Sequence, residues 1–356
     1  MKSGQTVFVG LSGGVDSSVA ALRLKNAGFT VVGVFIKVWH PEFLVCDWEG
    51  ERRDAMRVAA CLDIPFLTCD AQSTYYENVA KEFISEYEAG RTPNPDVLCN
   101  QYVKFGAFLE FAQSHGASFV ATGHYAQIEH DLDRKRYVLK RGHDTEKDQS
   151  YFLWTLSQQQ LAQILLPVGT STKSQIRNEA KQAGLPTAAK KDSQGICFLG
   201  HVDMYEFLGH YITLKLGDVL DERGAVIGVH KGSRMYTKGQ RHGFSVHISE
   251  TSTSPYYVIA TDHETNTITV SKDSPIHKSG KAFTLRNVHW IDSVPTIGES
   301  ISFQTRYRQT PHHGTLESRT SSACSLVPDE SFTSPAAGQS CVLYSGDTCL
   351  GGGIID

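Results

Sequence analysis

Long hydrophobic runs are missing from this chain. No apolar stretch in its 356 residues approaches the ~20 that a membrane-spanning helix requires, so no membrane segment is expected. Cysteine is sparse as well, with eight residues (Cys46, Cys61, Cys69, Cys99, Cys197, Cys324, Cys341 and Cys349) at irregular spacings and no C-x-x-C pair. That is too few for a disulfide scaffold and gives little support to a zinc knuckle or thioredoxin-like motif. Excess positive charge is also absent, since 34 Lys and Arg stand against 38 Asp and Glu for a net charge of -4. Wholesale coating of nucleic acid is not expected, while a local basic face stays open. Gly and Pro are at ordinary globular levels, which argues against collagen-like or disordered chains. Met1-Lys2-Ser3-Gly4-Gln5 runs straight into a strand pattern, leaving no room for a targeting peptide; a cytoplasmic protein with mostly reduced thiols is expected.

What is present is a chain long enough for two or three domains. Its first two hundred residues alternate buried-strand runs with helical patterns, the mark of an α/β parallel sheet. Thr6 to Gly10, Val31 to Ile36, Pro65 to Thr68 and Phe119 to Thr122 read as extended. Asp16 to Ala27 (closed by Gly28), Glu51 to Cys61, Tyr75 to Glu88 and Tyr102 to Gln113 read as helical. Thr172 and Gln175 form a capping box for a helix ending at Gly184-Leu185-Pro186. Beyond about residue 210, short strands rich in Val, Ile, Thr and Tyr alternate with turn residues, which suggests small β domains or a barrel. The expected division is 1–207, 208–276 and 277–356, with Pro275 to Gly280 as a linker.

Three segments carry chemistry. Gly10-Leu11-Ser12-Gly13-Gly14-Val15-Asp16-Ser17 joins a buried strand to a helix, where backbone N–H groups and the helix N-terminus favour an anion. It lacks the G-K-[ST] of a Walker loop, and G-x-G-x-x-G is not there either. S-G-G-x-D-S is the pyrophosphate loop of enzymes that cleave ATP between its α- and β-phosphates, suited to adenylating an oxygen nucleophile. Asp16 would order magnesium or the loop, or simply cap the helix. The second segment, Asn94-Pro95-Asp96-Val97-Leu98-Cys99-Asn100, places Cys99 at or just past a turn near a helix start, where the dipole favours thiolate. Asp96 is either an acid/base or a turn former. The third, Lys191-Asp192-Ser193-Gln194-Gly195-Ile196-Cys197-Phe198, surrounds Cys197 with small and polar residues and implies an accessible thiol, with Lys190 and Lys191 as nearby cations.

Together these segments closely resemble the bacterial tRNA-specific 2-thiouridylases. The likeness continues through Ala121-Thr122-Gly123-His124-Tyr125, Lys147-Asp148-Gln149-Ser150-Tyr151-Phe152-Leu153, Tyr236-Thr237-Lys238-Gly239-Gln240-Arg241 and Arg306-Tyr307-Arg308. Two departures are Val38, where the family usually has Asn, and Lys238, where it usually has Ile. The resemblance implies a parallel-sheet ATP-pyrophosphatase domain, a small mostly-β central domain and a C-terminal β-barrel. It implies ATP-dependent 2-thiolation of the wobble uridine of tRNA, with Mg2+ accompanying ATP and sulfur supplied as a protein persulfide. Cys99 would be the nucleophile and Cys197 the persulfide carrier, and the two would pass through a transient disulfide, whether the persulfide attacks directly or Cys99 first releases its sulfur. The resemblance assigns ATP to Gly10 through Ser17, Ile36 and Gly123, and the target base to Asn94, Pro95 and Asp96. It assigns tRNA to His124, Lys147, Asp148, Gln149, Arg306, Tyr307 and Gln339. A cysteine desulfurase, directly or through a relay, would be the sulfur donor.

From Arg223 to Ser249 the chain holds Arg223, Lys231, Arg234, Lys238 and Arg241 and no acidic residue, which suits phosphate contacts. Competing readings are a carboxylate- or base-activating ligase of the argininosuccinate or GMP synthase type, and a catalytically silent RNA-binding protein. The first leaves two loop cysteines without a task, and the intact loop opposes the second. An iron–sulfur thiolase using Cys99 and Cys197 is a third, which an anaerobic absorption spectrum would reveal.

Overall fold

Val7, Phe8 and Val9 are apolar in succession, so their strand needs cover on both faces. The computed structural model describes residues 4–44, 47–191, 203–247 and 255–356, and it meets that need with a doubly wound sheet. Five parallel strands lie in the order Phe66–Asp70, Thr30–Lys37, Thr6–Gly10, Phe119–Ala121 and Ile164–Leu165. Val7 and Val9 face helices Val15–Asn26, Trp48–Cys61 and Lys173–Gln182. Phe8 faces the opposite layer, built from residues 72–88 and 95–114. The Thr172–Gln175 capping box makes both of its reciprocal hydrogen bonds.

The helix expected from Tyr102 begins earlier. Asn94 is its N-cap, its side chain accepting from the Val97 N–H, and Pro95 takes the first helical position. Proline is favoured there because its missing N–H would be unpaired anyway. The chain then runs as α-helix over Pro95–Leu98, π-helix over Cys99–Ala107 and α-helix over Phe108–Ser114. Asn-Pro-Asp is therefore a helix start and not a free-standing turn.

A second sheet, ordered Phe244–Val246, Val226–His230, Gly217–Leu220, Thr267–Ser271 and Tyr257–Asp262, forms the central unit. Helix Met204–Gly209 precedes it and runs across residue 207, with Phe207 and Leu208 buried against Phe83. Six C-terminal strands close into a barrel through pairing of Phe283–Trp290 with Thr348–Ile355. Within the stretch read as a linker, Ile276–His277 pairs with Phe332–Thr333. One join has no counterpart in the sequence reading: the hairpin Ala126–Asp131/Arg136–Arg141 leaves the first unit and extends the barrel sheet at Thr348.

Candidate functional site

In an open parallel sheet the crevice for a ligand lies beyond the carboxyl ends of the strands, where the strand order reverses. Here that point is between Thr6–Gly10 and Phe119–Ala121. The Gly10 to Ser17 loop leaves the first strand, and Thr122-Gly123-His124 leaves the second. The two lips touch: a Cβ on Gly123 would come within 2.7 Å of the Asp16 carbonyl carbon and the Ser17 nitrogen. Gly13, at φ +70°, lies so close to Glu51 that a Cβ would sit 2.7 Å from that carbonyl oxygen. These positions require glycine to let backbone approach backbone. Helix Val15–Asn26 starts at Gly14 with no side-chain cap, leaving its first N–H groups for an anion. Leu11 and Val15 are buried anchors, so they can serve a nucleotide only through their backbone. Ile36 is buried beside Gly10, and Val38 is buried in the same core, which explains an apolar residue at that departure.

Asp16 does not cap the helix; it sits in the first turn and is held from outside. Lys173 Nζ lies 2.8 and 2.7 Å from its two carboxylate oxygens, and the Tyr125 hydroxyl donates to Oδ1 at 2.7 Å. The Lys173 side chain is only 12% exposed, against 30% for Asp16. The loop carries no lysine of its own, and the fold brings one from 157 residues away. Sequence reasoning missed both partners. The only signal was an acidic residue in the first turn of a helix whose other charges, Arg23 and Lys25, lie in its last turn, and the helix dipole alone would favour that placement.

Helix 95–114 leads into the amino end of Phe119–Ala121, so its start lies on the same side of the sheet as the loop. Asp96 is partly exposed there, but Cys99 is fully buried in the core that also holds Ile36 and Phe105. Cys99, expected at or just past a turn near a helix start, lies one turn inside the helix and is packed into the core in this conformation. Cys197 and the segment from Asp192 to Phe198 lie outside the described residues. Lys190 is committed to Asp54 at 2.7 Å. Burial pushes the thiols of Cys69 and Cys324 up to about 11 and that of Cys349 to about 12, and raises Cys341 too. Cys61 is exposed.

Comparison with known proteins accounts for this geometry. Residues 5–201 match the family model of a tRNA methyl transferase HUP domain. Residues 205–272 match a tRNA methyl transferase PRC-barrel domain, and 280–355 an aminomethyltransferase beta-barrel domain. A tRNA-specific 2-thiouridylase MnmA of Xanthomonas oryzae pv. oryzae is 43% identical over 98% of this chain and 93% of its own. Those of Bacillus subtilis and Shigella boydii are each 42% identical, covering 98% and 100% of this chain and 94% and 98% of their own. The chain belongs to the tRNA-specific 2-thiouridylase family.

The residues that the thiouridylase resemblance assigns to tRNA fall into distinct settings. His124 is buried, with its Nδ1 2.7 Å from the Thr122 hydroxyl, and desolvation holds it well below the usual 6.5, hence neutral at pH 7. It offers no surface to a polynucleotide in this conformation. Asp148 accepts from the Gly142 and Ser150 N–H groups and from Arg141, which braces its own loop. Gln149 accepts from the Tyr125 N–H and so supports the residue that holds Asp16. Arg306 is exposed and donates to the Lys238 carbonyl, Tyr307 packs on Phe152 with ring centroids 4.4 Å apart, and Gln339 donates to the Thr92 and Pro93 carbonyls. In the basic stretch Arg223, Lys231, Lys238 and Arg241 are exposed, whereas the Nε of Arg234 is buried.

Proposed function

We propose that this protein thiolates the wobble uridine of tRNA at its 2-position. ATP adenylates the uridine 2-oxygen, which turns a poor leaving group into AMP and expels pyrophosphate. Sulfur carried as a persulfide on Cys197 then replaces the oxygen, giving 2-thiouridine. Cys99 attacks the inner sulfur of Cys197, either to release hydrosulfide that displaces AMP or to free the thiolated base after direct attack. Either route leaves a Cys99–Cys197 disulfide, which an external thiol must reduce. Because Cys99 is buried, the surface over it has to open before either route can proceed.

The observation that carries this reading is the crevice between Gly10–Ser17 and Gly123, with an uncapped helix N-terminus, in a chain 42–43% identical to thiouridylases along its length. Pyrophosphate would lie at that N-terminus, with adenine toward Ile36. Asn94, Pro95 and Asp96 would meet the flipped-out base, Asp96 moving the proton. Magnesium binds through one or two carboxylates plus phosphate oxygens. Asp16, the carboxylate in the first turn of helix Val15–Asn26, would order the magnesium or the loop, whereas the Asp54 carboxylate near Gly13 is already paired with Lys190 and Arg57. The reading carries with it a cytoplasmic location, a desulfurase-derived sulfur donor, and working units 1–207, 208–276 and 277–356.

The test is reconstitution with tRNA, ATP and a cysteine desulfurase. Equal yields of 2-thiouridine, AMP and pyrophosphate are expected. ATP turnover without a change in the tRNA nucleosides would refute the reading.

A further inference from the structure

One residue assigned to tRNA, Gln339, also contacts the segment that leads into the base-recognition helix, and two others, Tyr307 and Arg306, touch residues next to those that hold it. Gln339 donates its amide to the Thr92 carbonyl at 2.8 Å and to the Pro93 carbonyl at 3.3 Å. Tyr307 packs near Tyr151, which hydrogen-bonds Asn94 and donates to the Ser340 carbonyl at 2.8 Å. Arg306 donates to Lys238, next to Thr237 in the central unit. Thr237 completes the pattern: its hydroxyl lies 2.6 Å from that of Thr92, and its N–H is fixed by the Gln240 side chain. The Thr92 N–H is taken by Ala337 of the barrel at 2.9 Å. Thr92 is thus gripped by the barrel through its backbone and by the central unit through its side chain, two residues before Asn94.

We propose that Thr237 is a positioning residue of the thiolation reaction, acting through Thr92 to hold Asn94, Pro95 and Asp96 where the target base arrives. The two downstream units then do more than bind RNA, because their seating on the first unit sets the register of the recognition helix. The inference rests on the thiolation reading. Wild-type enzyme that fails to thiolate tRNA would sink that reading, whereas the comparisons below bear on Thr237 alone.

Thr237→Val keeps the shape and removes the hydroxyl. Losing one neutral hydrogen bond of ordinary net strength should slow single-turnover thiolation at saturating tRNA by about three- to tenfold. Dissociation constants for tRNA and ATP should stay within about twofold, and Thr237→Ser should restore the rate. Amide hydrogen exchange of residues 92–98 should quicken in Thr237→Val. Thr92→Val should show the same loss, and the double variant no more than either single one, as expected of one shared bond. An unchanged rate, a loss shared by Thr237→Ser, additive losses, or a loss seen wholly in tRNA affinity would overturn the proposal.

Discussion

Replacing Asp16 by Ala should abolish ATP-dependent activation while leaving tRNA affinity nearly intact, and the Lys173 pair fixes what else must happen. The substitution strands an ammonium that is only 12% exposed and deprives the Tyr125 hydroxyl of its acceptor. Exposed ion pairs contribute about 0–1 kcal/mol, whereas removing one member of a fully buried pair costs about 3–5 kcal/mol. Asp16 is 30% exposed and Lys173 much less, so a cost of about 2 kcal/mol is expected, discounted for water reaching the carboxylate side. For a domain near 200 residues that lowers the melting temperature by about 4–8 °C. Lys173→Met should destabilise less, because it leaves the more exposed partner, and Asp16→Asn should keep the tyrosine acceptor while losing the charge.

The double variant Asp16→Ala/Lys173→Met separates folding from chemistry. Removing both charges eliminates the stranded ammonium, so most of the melting temperature should return. Pyrophosphate exchange in the presence of tRNA should not return, because the loop has then lost the Asp16 carboxylate and the ammonium that it holds. Thermal melts and exchange assays on the four variants decide the matter. Recovery of exchange in the double variant, or normal AMP production by Asp16→Ala, would refute the argument.

Cys99→Ser and Cys197→Ser should each block thiolation and spare ATP binding, and the mass gain of one sulfur atom from a desulfurase should appear on the Cys197 peptide alone. Persulfide found only on Cys99, or full activity in Cys197→Ser, would reverse those roles. Alkylation of the native enzyme near pH 8 should label exposed Cys61 well before Cys69, Cys324, Cys341 or Cys349, whose thiols burial holds protonated. Reversing the exposed Lys231, Lys238 and Arg241 to Glu should weaken tRNA binding and flatten its salt dependence; an unaltered slope would make that stretch an ordinary solvated loop. His124, His230, His263 and His312 are all held below the usual 6.5, chiefly by desolvation. The unfolded chain therefore binds more protons than the folded one as pH falls below about 6.5, so stability should drop between pH 7 and 5. A melting temperature that is flat across that interval would contradict the burial of these rings.

The parts of the fold legible in the sequence are those whose signals are local. Val7 to Val9 required cover on both faces, Gly13-Gly14 marked a loop feeding a helix, and Thr172 with Gln175 announced a helix start; all three stand where expected. Asn94-Pro95-Asp96 was ambiguous for a physical reason, since the residues that make turns also cap helices, and here the cap prevailed and drew Cys99 into the core. The Ala126–Arg141 hairpin was invisible as a barrel extension because an edge strand does not encode which sheet it will join. Lys173 was the hardest, because nothing in a polar helix shows which distant carboxylate its first residue will meet. Gly123 lies between these extremes. Resemblance placed it at the nucleotide, and the structure supplies a cause: any side chain there would drive the two lips of the crevice apart at the turn where Asp16 meets its lysine.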